Sequence, residues 1–431
     1  MAPFATSRDS SFFQIEGSTL AARVVHFCEP RTPAFELMIL DILRLWRPAS
    51  ILAAACLWTC GQTAADSLTL TSPMTYAVFQ RSAANVARIP ISGSFDKTAA
   101  RIEAKVSLNA GYREGVDGRS STFAEVARPN SPEFKGSLEV AAGGWYTLTV
   151  RALDSAGAVI AQTTLPKVGV GEVFVAAGHS FCSNFQGVRP GRAEEDRVAT
   201  CIDWTNTPPA NLAFRHADDP LRPADAHRAS PWTAVGDVLV RQLHVPVLII
   251  STGIGGTTVE RWRKVAEDPA SGDSSYVACR ATLQRWTPYT GLRAIVWFGN
   301  ENDLNQGPTA EVFYDNFKRL IARSRMDSGY PTLPWVIGFD AFDPGILEKI
   351  GPTEMQRRKE RIDRGAQRVL ETVPFTYDGP QTDDLGPEFR RVDGDHFNEA
   401  GVQQLGVRFA RKIIQAFFPA VPPAPLESRA P

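Results

Sequence analysis

The chain has 431 residues, 43% of them apolar, with a formal net charge of −1. That apolar share is ample for packed cores and excludes wholesale disorder, and the length suits two domains better than one. The near-neutral balance, without a Lys/Arg block or an acidic tail, gives no electrostatic footprint for a nucleic-acid partner.

Residues 1–65 read as an N-terminal extension followed by an export signal, with Met38 the expected start. Arg44 and Arg47 form a basic region, Ile51 to Trp58 is a short apolar run, and Thr63-Ala64-Ala65 offers small residues for cleavage. The run is too short to span a bilayer. Leu57-Trp58-Thr59-Cys60 is a loose match to a lipoprotein box, which Trp58 fits badly. The expectation is an exported protein, periplasmic or secreted, with a lipid anchor as the variant. Cleavage would leave Cys182, Cys201 and Cys279. A Cys182–Cys201 disulfide and three buried thiols are both open on this count.

Residues 66–170 read as a small all-β module. In the run Gly143 to Val150, Tyr146, Leu148 and Val150 alternate with Thr147 and Thr149, which is the period of a half-buried strand. Further strands are expected at Arg88–Gly93, Arg101–Leu108 and Val159–Leu165, and a β-sandwich fits them. Lys167 to Gly171 reads as a short joint. Residues 171–418 change pattern. Apolar runs at Val173–Ala177, Val245–Ile250, Leu292–Phe298 and Trp335–Ile337 read as buried parallel strands. Helical stripes lie between and after them: Ala234, Val238 and Leu239; then Phe313, Phe317, Leu320 and Ile321; then Val402, Leu405, Phe409 and Ile413. The expected fold class is α/β, a doubly wound parallel sheet preceded by the sandwich. Pro352–Val373 reads as a charged, solvent-facing helix. Residues 419–431 read as a Pro-rich tail.

Three short motifs follow predicted strands, and a fourth precedes the last helix. They are Gly178-His179-Ser180, Gly255-Gly256-Thr257, Gly299-Asn300-Glu301-Asn302-Asp303 and Asp393-Gly394-Asp395-His396. The C-terminal edge of such a sheet is where ligands bind. Ser180 on a strand-to-loop corner is a candidate nucleophile, although Cys182 breaks the Gly-x-Ser-x-Gly elbow. His396 is the candidate base. Asp393, three residues earlier, is its natural orienter, with Asp395 as competitor. Gly255, Gly256, Asn300 and Asn302 are candidate oxyanion donors, through backbone amides at the glycines and side-chain amides at the asparagines. Phe397 stands where a calcium loop needs an oxygen ligand, and no Gly-Lys-Ser/Thr follows Gly256, so neither a metal nor a phosphate reading holds. No cofactor is expected.

These ordered blocks resemble the SGNH hydrolases, and within them the sialate O-acetylesterase-like carbohydrate esterases. GEVFVAAGHSFCSN, GGTTVERW, QTDDLG and DGDHFNEAG carry the likeness. It implies an SGNH/flavodoxin-like domain, Ser180 as nucleophile, an oxyanion amide at Gly255 or Gly256, and Asp393 with His396 as its partners. Two departures stand out. The branch has Gln where this chain has His179, and Gln-Gly where it has Gly299-Asn300, so the oxyanion duty passes to Asn300 or Asn302. His179, Glu301 and Trp262 are expected to face substrate, with a place behind the contact residues open for His179 and simple packing open for Trp262. The implied activity is removal of O-acetyl groups from carbohydrate, with acetylated carbohydrate as the partner. The rivals are a lipase or thioesterase, an acetyl transferase, and a non-catalytic binder stacking sugar on Trp204, Trp232 or Trp262.

Overall fold

The computed structural model describes residues 67–422 apart from 206, 341 and 342. The expected extension and export signal lie outside the described residues, as does the tail from 423.

Seven strands open the described chain: β1 (Leu68–Ser72), β2 (Val78–Gln80), β3 (Val86–Phe95), β4 (Arg101–Leu108), β5 (Ala124–Ala127), β6 (Glu133–Ala141) and β7 (Gly143–Leu153). Period-two alternation builds them. Ile102, Ala104 and Val106 of β4 are buried while Arg101, Glu103 and Lys105 are not. β1, β3 and β6 form one antiparallel sheet, and β4, β5 and β7 belong to a second. Ile89, Ile91, Leu138 and Val140 of the first sheet share one core with Leu148 and Val150 of the second.

Strand β8 (Val159–Gly178) runs through the expected joint without a break. Its first half pairs antiparallel with β7. Its second half is the central strand of the parallel sheet, where Glu172 to Ala176 face β11 and Phe174 to Gly178 face β12. The glycines that suggest a joint, Gly169 and Gly171, are needed because the ring and backbone of Pro246 fill the space of a β-carbon. A buried ionic knot sits at the crossing. Glu172 receives Arg81 Nε at 2.5 Å and Arg293 Nε at 2.7 Å. The β-module also grips the segment that follows Ser180: Asp196 accepts Lys167 Nζ at 2.7 Å and Tyr112 OH at 3.1 Å.

The rest of the chain gives β9 (Val198–Cys201), β10 (Phe214–His216), α1 (Trp232–Leu243), β11 (Val247–Ser251), α2 (Val259–Glu267), α3 (Val277–Arg285), α4 (Thr287–Thr290), β12 (Ala294–Phe298), α5 (Glu301–Gln306), α6 (Ala310–Ser328), β13 (Trp335–Phe339), α7 (Pro344–Ile350), α8 (Pro352–Thr372), β14 (Thr376–Gln381) and α9 (Glu399–Phe417). The sheet order is β10-β9-β11-β8-β12-β13-β14, with β10 antiparallel and the others parallel. Setting aside β10 and β9, which extend one edge, chain order across the remaining five strands is second, first, third, fourth, fifth. This is the doubly wound, flavodoxin-like arrangement expected. Alternate residues of β8 serve opposite faces. Val173 and Val175 share a core with Trp262, Phe313 and Phe317, whereas Phe174 and Ala176 share one with Trp232, Leu405 and Phe409. Strand order reverses beside β8, so its C-terminal end opens on the crevice such sheets use for ligands.

Candidate active site

Gly178 ends β8 at φ +140°, and a β-carbon there would meet the Phe298 carbonyl of β12. Only glycine lets the two strand ends approach this closely. Ser180 follows in a single 3-10 turn, Ser180–Cys182, and is 6% exposed. Its hydroxyl donates to Glu301 Oε1 at 3.4 Å.

His396 reaches the same neighbourhood from the loop before α9. Its ring stacks on Phe185 with centroids 5.3 Å apart and meets Phe181 edge-on at 5.8 Å. Both phenylalanines belong to the segment that Ser180 opens. Asp393 Oδ2 lies 3.3 Å from His396 Nδ1, and Asp393 Oδ1 also accepts the backbone amide of His396 at 3.1 Å. The other ring nitrogen, Nε2, is buried without a hydrogen-bond partner. Burial lowers the imidazole below its usual value, with Asp393 opposing the shift. Asp395 Oδ2 is 3.5 Å from Nδ1. Burial, with Glu301, Asp343 and Asp340 nearby, pushes that carboxyl up to about 8, so it carries little charge at neutral pH. Asp393 is therefore the better charged orienter.

Behind Ser180 lies a second acid–imidazole pair, His179 with Glu301. Their side chains are 1% and 3% exposed, and Nε2 lies 2.5 Å from Oε2. The His179 ring occupies the space a β-carbon on Gly299 would need, and Gly299 has φ +123°. Burial pushes His179 down to about 3 and Glu301 well above the usual carboxyl range. Burial thus favours the neutral form of each. They form an internal buttress, not the substrate-facing pair expected.

The oxyanion candidates divide. The Gly255 amide donates to Asp225 Oδ2 at 2.8 Å, while Gly256 is exposed at φ +66°. Asn302 Nδ2 donates to Glu301 at 2.8 Å. Asn300 is 1% exposed, and both polar atoms of its amide lack partners. Leaving such an amide unpaired costs ~1–3 kcal/mol, a burden that native proteins tolerate mainly at functional positions.

Trp262 requires a correction. It is fully buried, donating to Thr257 Oγ1 at 2.9 Å and packing on Tyr276 and Trp297. Val259, Trp262, Val265 and Ala266 share its inward face, a helical spacing that signals core. Trp204 stacks on Trp286, and Trp232 donates to the Cys182 carbonyl at 2.6 Å. None of the three offers a face for sugar. Cys182, Cys201 and Cys279 are buried free thiols, so the disulfide alternative falls.

Several positioning residues escaped sequence reasoning. Asp225 accepts Ser183 Oγ at 2.7 Å as well as the Gly255 amide, joining two motif loops. Arg391 donates to the Phe185 carbonyl at 2.7 Å and lies 3.3 Å from Asp393. The Arg390–Asp340 ion pair, 2.8 Å long and fully buried, anchors the His396 loop from beneath. These partners are too distant in sequence to leave a local signal. Among the described residues no group of His, Cys, Asp and Glu could hold a metal ion, and no helix is long and apolar enough to cross a membrane.

A serine turn, a histidine loop and glycine turns thus gather at the C-terminal edge of a flavodoxin-like sheet. Residues 171–415 match the family model described as carbohydrate esterase, sialic acid-specific acetylesterase. The chain belongs to that family, and it is a carboxylic ester hydrolase of the carbohydrate acetylesterase class. No curated protein matches it significantly. Among solved structures it is similar to a carbohydrate acetylesterase of Xanthomonas citri at 17% identity, over 81% of this chain and 75% of that one, with a TM-score of 0.49. A protein of Arabidopsis thaliana is similar at 17% identity over 57% and 98%, with a TM-score of 0.41. A catalytic mutant of an acetylxylan esterase from Geobacillus stearothermophilus is similar at 13% over 57% and 94%, with a TM-score of 0.32.

Proposed function

We propose that the protein removes O-acetyl groups from carbohydrate hydroxyls, sialate-type or polysaccharide, by a Ser180–His396–Asp393 mechanism. One observation carries the reading. His396 is held by Asp393 on one ring nitrogen, keeps the other unpartnered, and packs on the segment that Ser180 opens. For the reaction the Ser180 hydroxyl turns from Glu301 toward His396. Nε2 takes its proton as Oγ attacks the acetyl carbon. The tetrahedral oxyanion is held by the Asn300 amide and the Gly256 backbone amide. The imidazolium, steadied by Asp393, protonates the departing sugar oxygen. Water then attacks the acetyl-serine by the same route and releases acetate. The basic and apolar segment from Arg44 to Ala65 supports action outside the cytoplasm.

The test is acetate release from a panel of acetylated glycans, with p-nitrophenyl acetate as control, for wild type and Ser180→Ala. Release that depends on Ser180 supports the reading, and the preferred glycan names the substrate. Release that survives in Ser180→Ala refutes it.

A further inference from the structure

We infer that Gln186 is a positioning residue that sets the distance between the Ser180 turn and the His396 loop. The inference rests on the catalytic reading of those two residues. Gln186 is fully buried and uses both ends of its amide. Nε2 donates to the Ser180 carbonyl at 2.8 Å. Oε1 accepts the backbone amide of Phe397, the residue after His396, at 2.9 Å. Only this orientation sets donor against acceptor at both ends, so the partners fix the assignment. The backbone around it is tied as well. Gly187 N donates to the Phe397 carbonyl at 2.7 Å, and Gln186 and Ala229 exchange backbone bonds at 3.0 and 2.9 Å.

The geometry has a chemical consequence. The nucleophile's own carbonyl and the amide next to the base are bridged by one side chain, across a sequence gap of about two hundred residues. Ser180 Oγ and His396 Nε2 have to come within hydrogen-bond reach for proton transfer. The Gln186 side chain ties these two backbones directly. Arg391 gives a second, partly exposed tie through the Phe185 carbonyl, but it does not touch the Ser180 residue itself. Loss of about an ångström of alignment costs ~100-fold in rate.

Gln186→Glu is the informative variant because it keeps the shape. A protonated carboxyl can still donate to the Ser180 carbonyl and accept from Phe397 N. An ionised one sets two acceptors against each other at the serine end. Its burial raises its pKa above the ordinary glutamate value, bringing the change into an accessible pH range. The groups facing position 186 are the Ser180 carbonyl and the Phe397 and Ala229 backbones, with His396 and Arg391 in the adjoining loop. The experiment measures kcat and KM on p-nitrophenyl acetate from pH 5 to 9, with thermal melts, for wild type, Gln186→Glu, Gln186→Met and Ser180→Ala. The expected result is a kcat of Gln186→Glu that falls ~100-fold relative to wild type as pH rises, with KM little changed and the deficit relieved as pH falls. Gln186→Met should lose kcat at every pH. A wild-type kcat in Gln186→Glu throughout overturns the inference. So does a pH-independent loss that follows melting temperature in both variants, or failure of both to fold, since each marks a merely structural residue. Turnover that survives in Ser180→Ala is a separate failure, of the catalytic reading.

Discussion

Two acid–imidazole pairs flank Ser180, and burial separates their chemistry. The His179–Glu301 pair sits inside the protein, with side chains 1% and 3% exposed. Desolvation there favours the neutral form of both groups, so the pair is suited to brace Ser180 rather than to offer an imidazolium a charge. The His396–Asp393 pair lies at the rim, with side chains 17% and 35% exposed. It keeps one ring nitrogen without a partner. A short acid–imidazole contact is therefore no guide to which histidine is the base. On the proposed mechanism the closer pair is the poorer candidate for the base because it is the drier one.

Substitutions sharpen this contrast. Ser180→Ala or His396→Ala should lower kcat by up to ~10⁶-fold, with melting temperature almost unchanged. Asp393→Asn keeps the shape of the orienter and removes its charge. A loss approaching 10⁴-fold in kcat is expected, on the order found when a triad carboxylate is so replaced. Arg390→Leu removes one partner of the fully buried ion pair with Asp340 and should cost ~3–5 kcal/mol of stability in urea melts. Glu301→Gln keeps the shape of a buried side chain whose neutral form desolvation favours, and should cost less than about 1.4 kcal/mol of barrier, or tenfold in kcat/KM. If Glu301→Gln proved worse than Asp393→Asn, the two pairs would have to exchange roles.

The pH profile is the finest discriminator. His396 must be neutral to accept the serine proton, and burial lowers its pKa from the ordinary value of about 6.5. The acid limb of kcat/KM should thus fall below that value, with activity present above it and lost as pH drops through it. Asp393 opposes the lowering, so Asp393→Asn should move the limb lower still. A limb at or above the ordinary value would mean that His396 is not the titrating base.

Much of the fold was legible because buried strands write themselves as apolar runs. β4 coincides with its expected bounds, and β12 and β13 lie within a few residues of theirs. β14 was not legible. Its sequence, TYDGPQ, lacks an apolar run, and Gly379 is present because a β-carbon would strike the Ile337 and Gly338 backbone. The same kind of close approach made Gly169 and Gly171 look like a joint inside β8. At the site, Ser180, His396 and Asp393 were legible as candidates from residue type and place, Ser180 after a strand and the other two before the last helix. The division among oxyanion candidates was hidden. It depends on which amides are already committed, such as Gly255 to Asp225 and Asn302 to Glu301. Trp262 was misread because a tryptophan near a glycine turn suggests a sugar platform, whereas its helical spacing with Val259 and Val265 assigns it to the core.

The most direct measurement is covalent trapping with a fluorophosphonate, followed by peptide mass spectrometry, in wild type, His396→Ala and Glu301→Gln. The expected result is an adduct on Ser180 in wild type and in Glu301→Gln, and almost none in His396→Ala. An adduct on another serine, or labelling that survives His396→Ala and is lost in Glu301→Gln, would contradict the assignment of nucleophile and base.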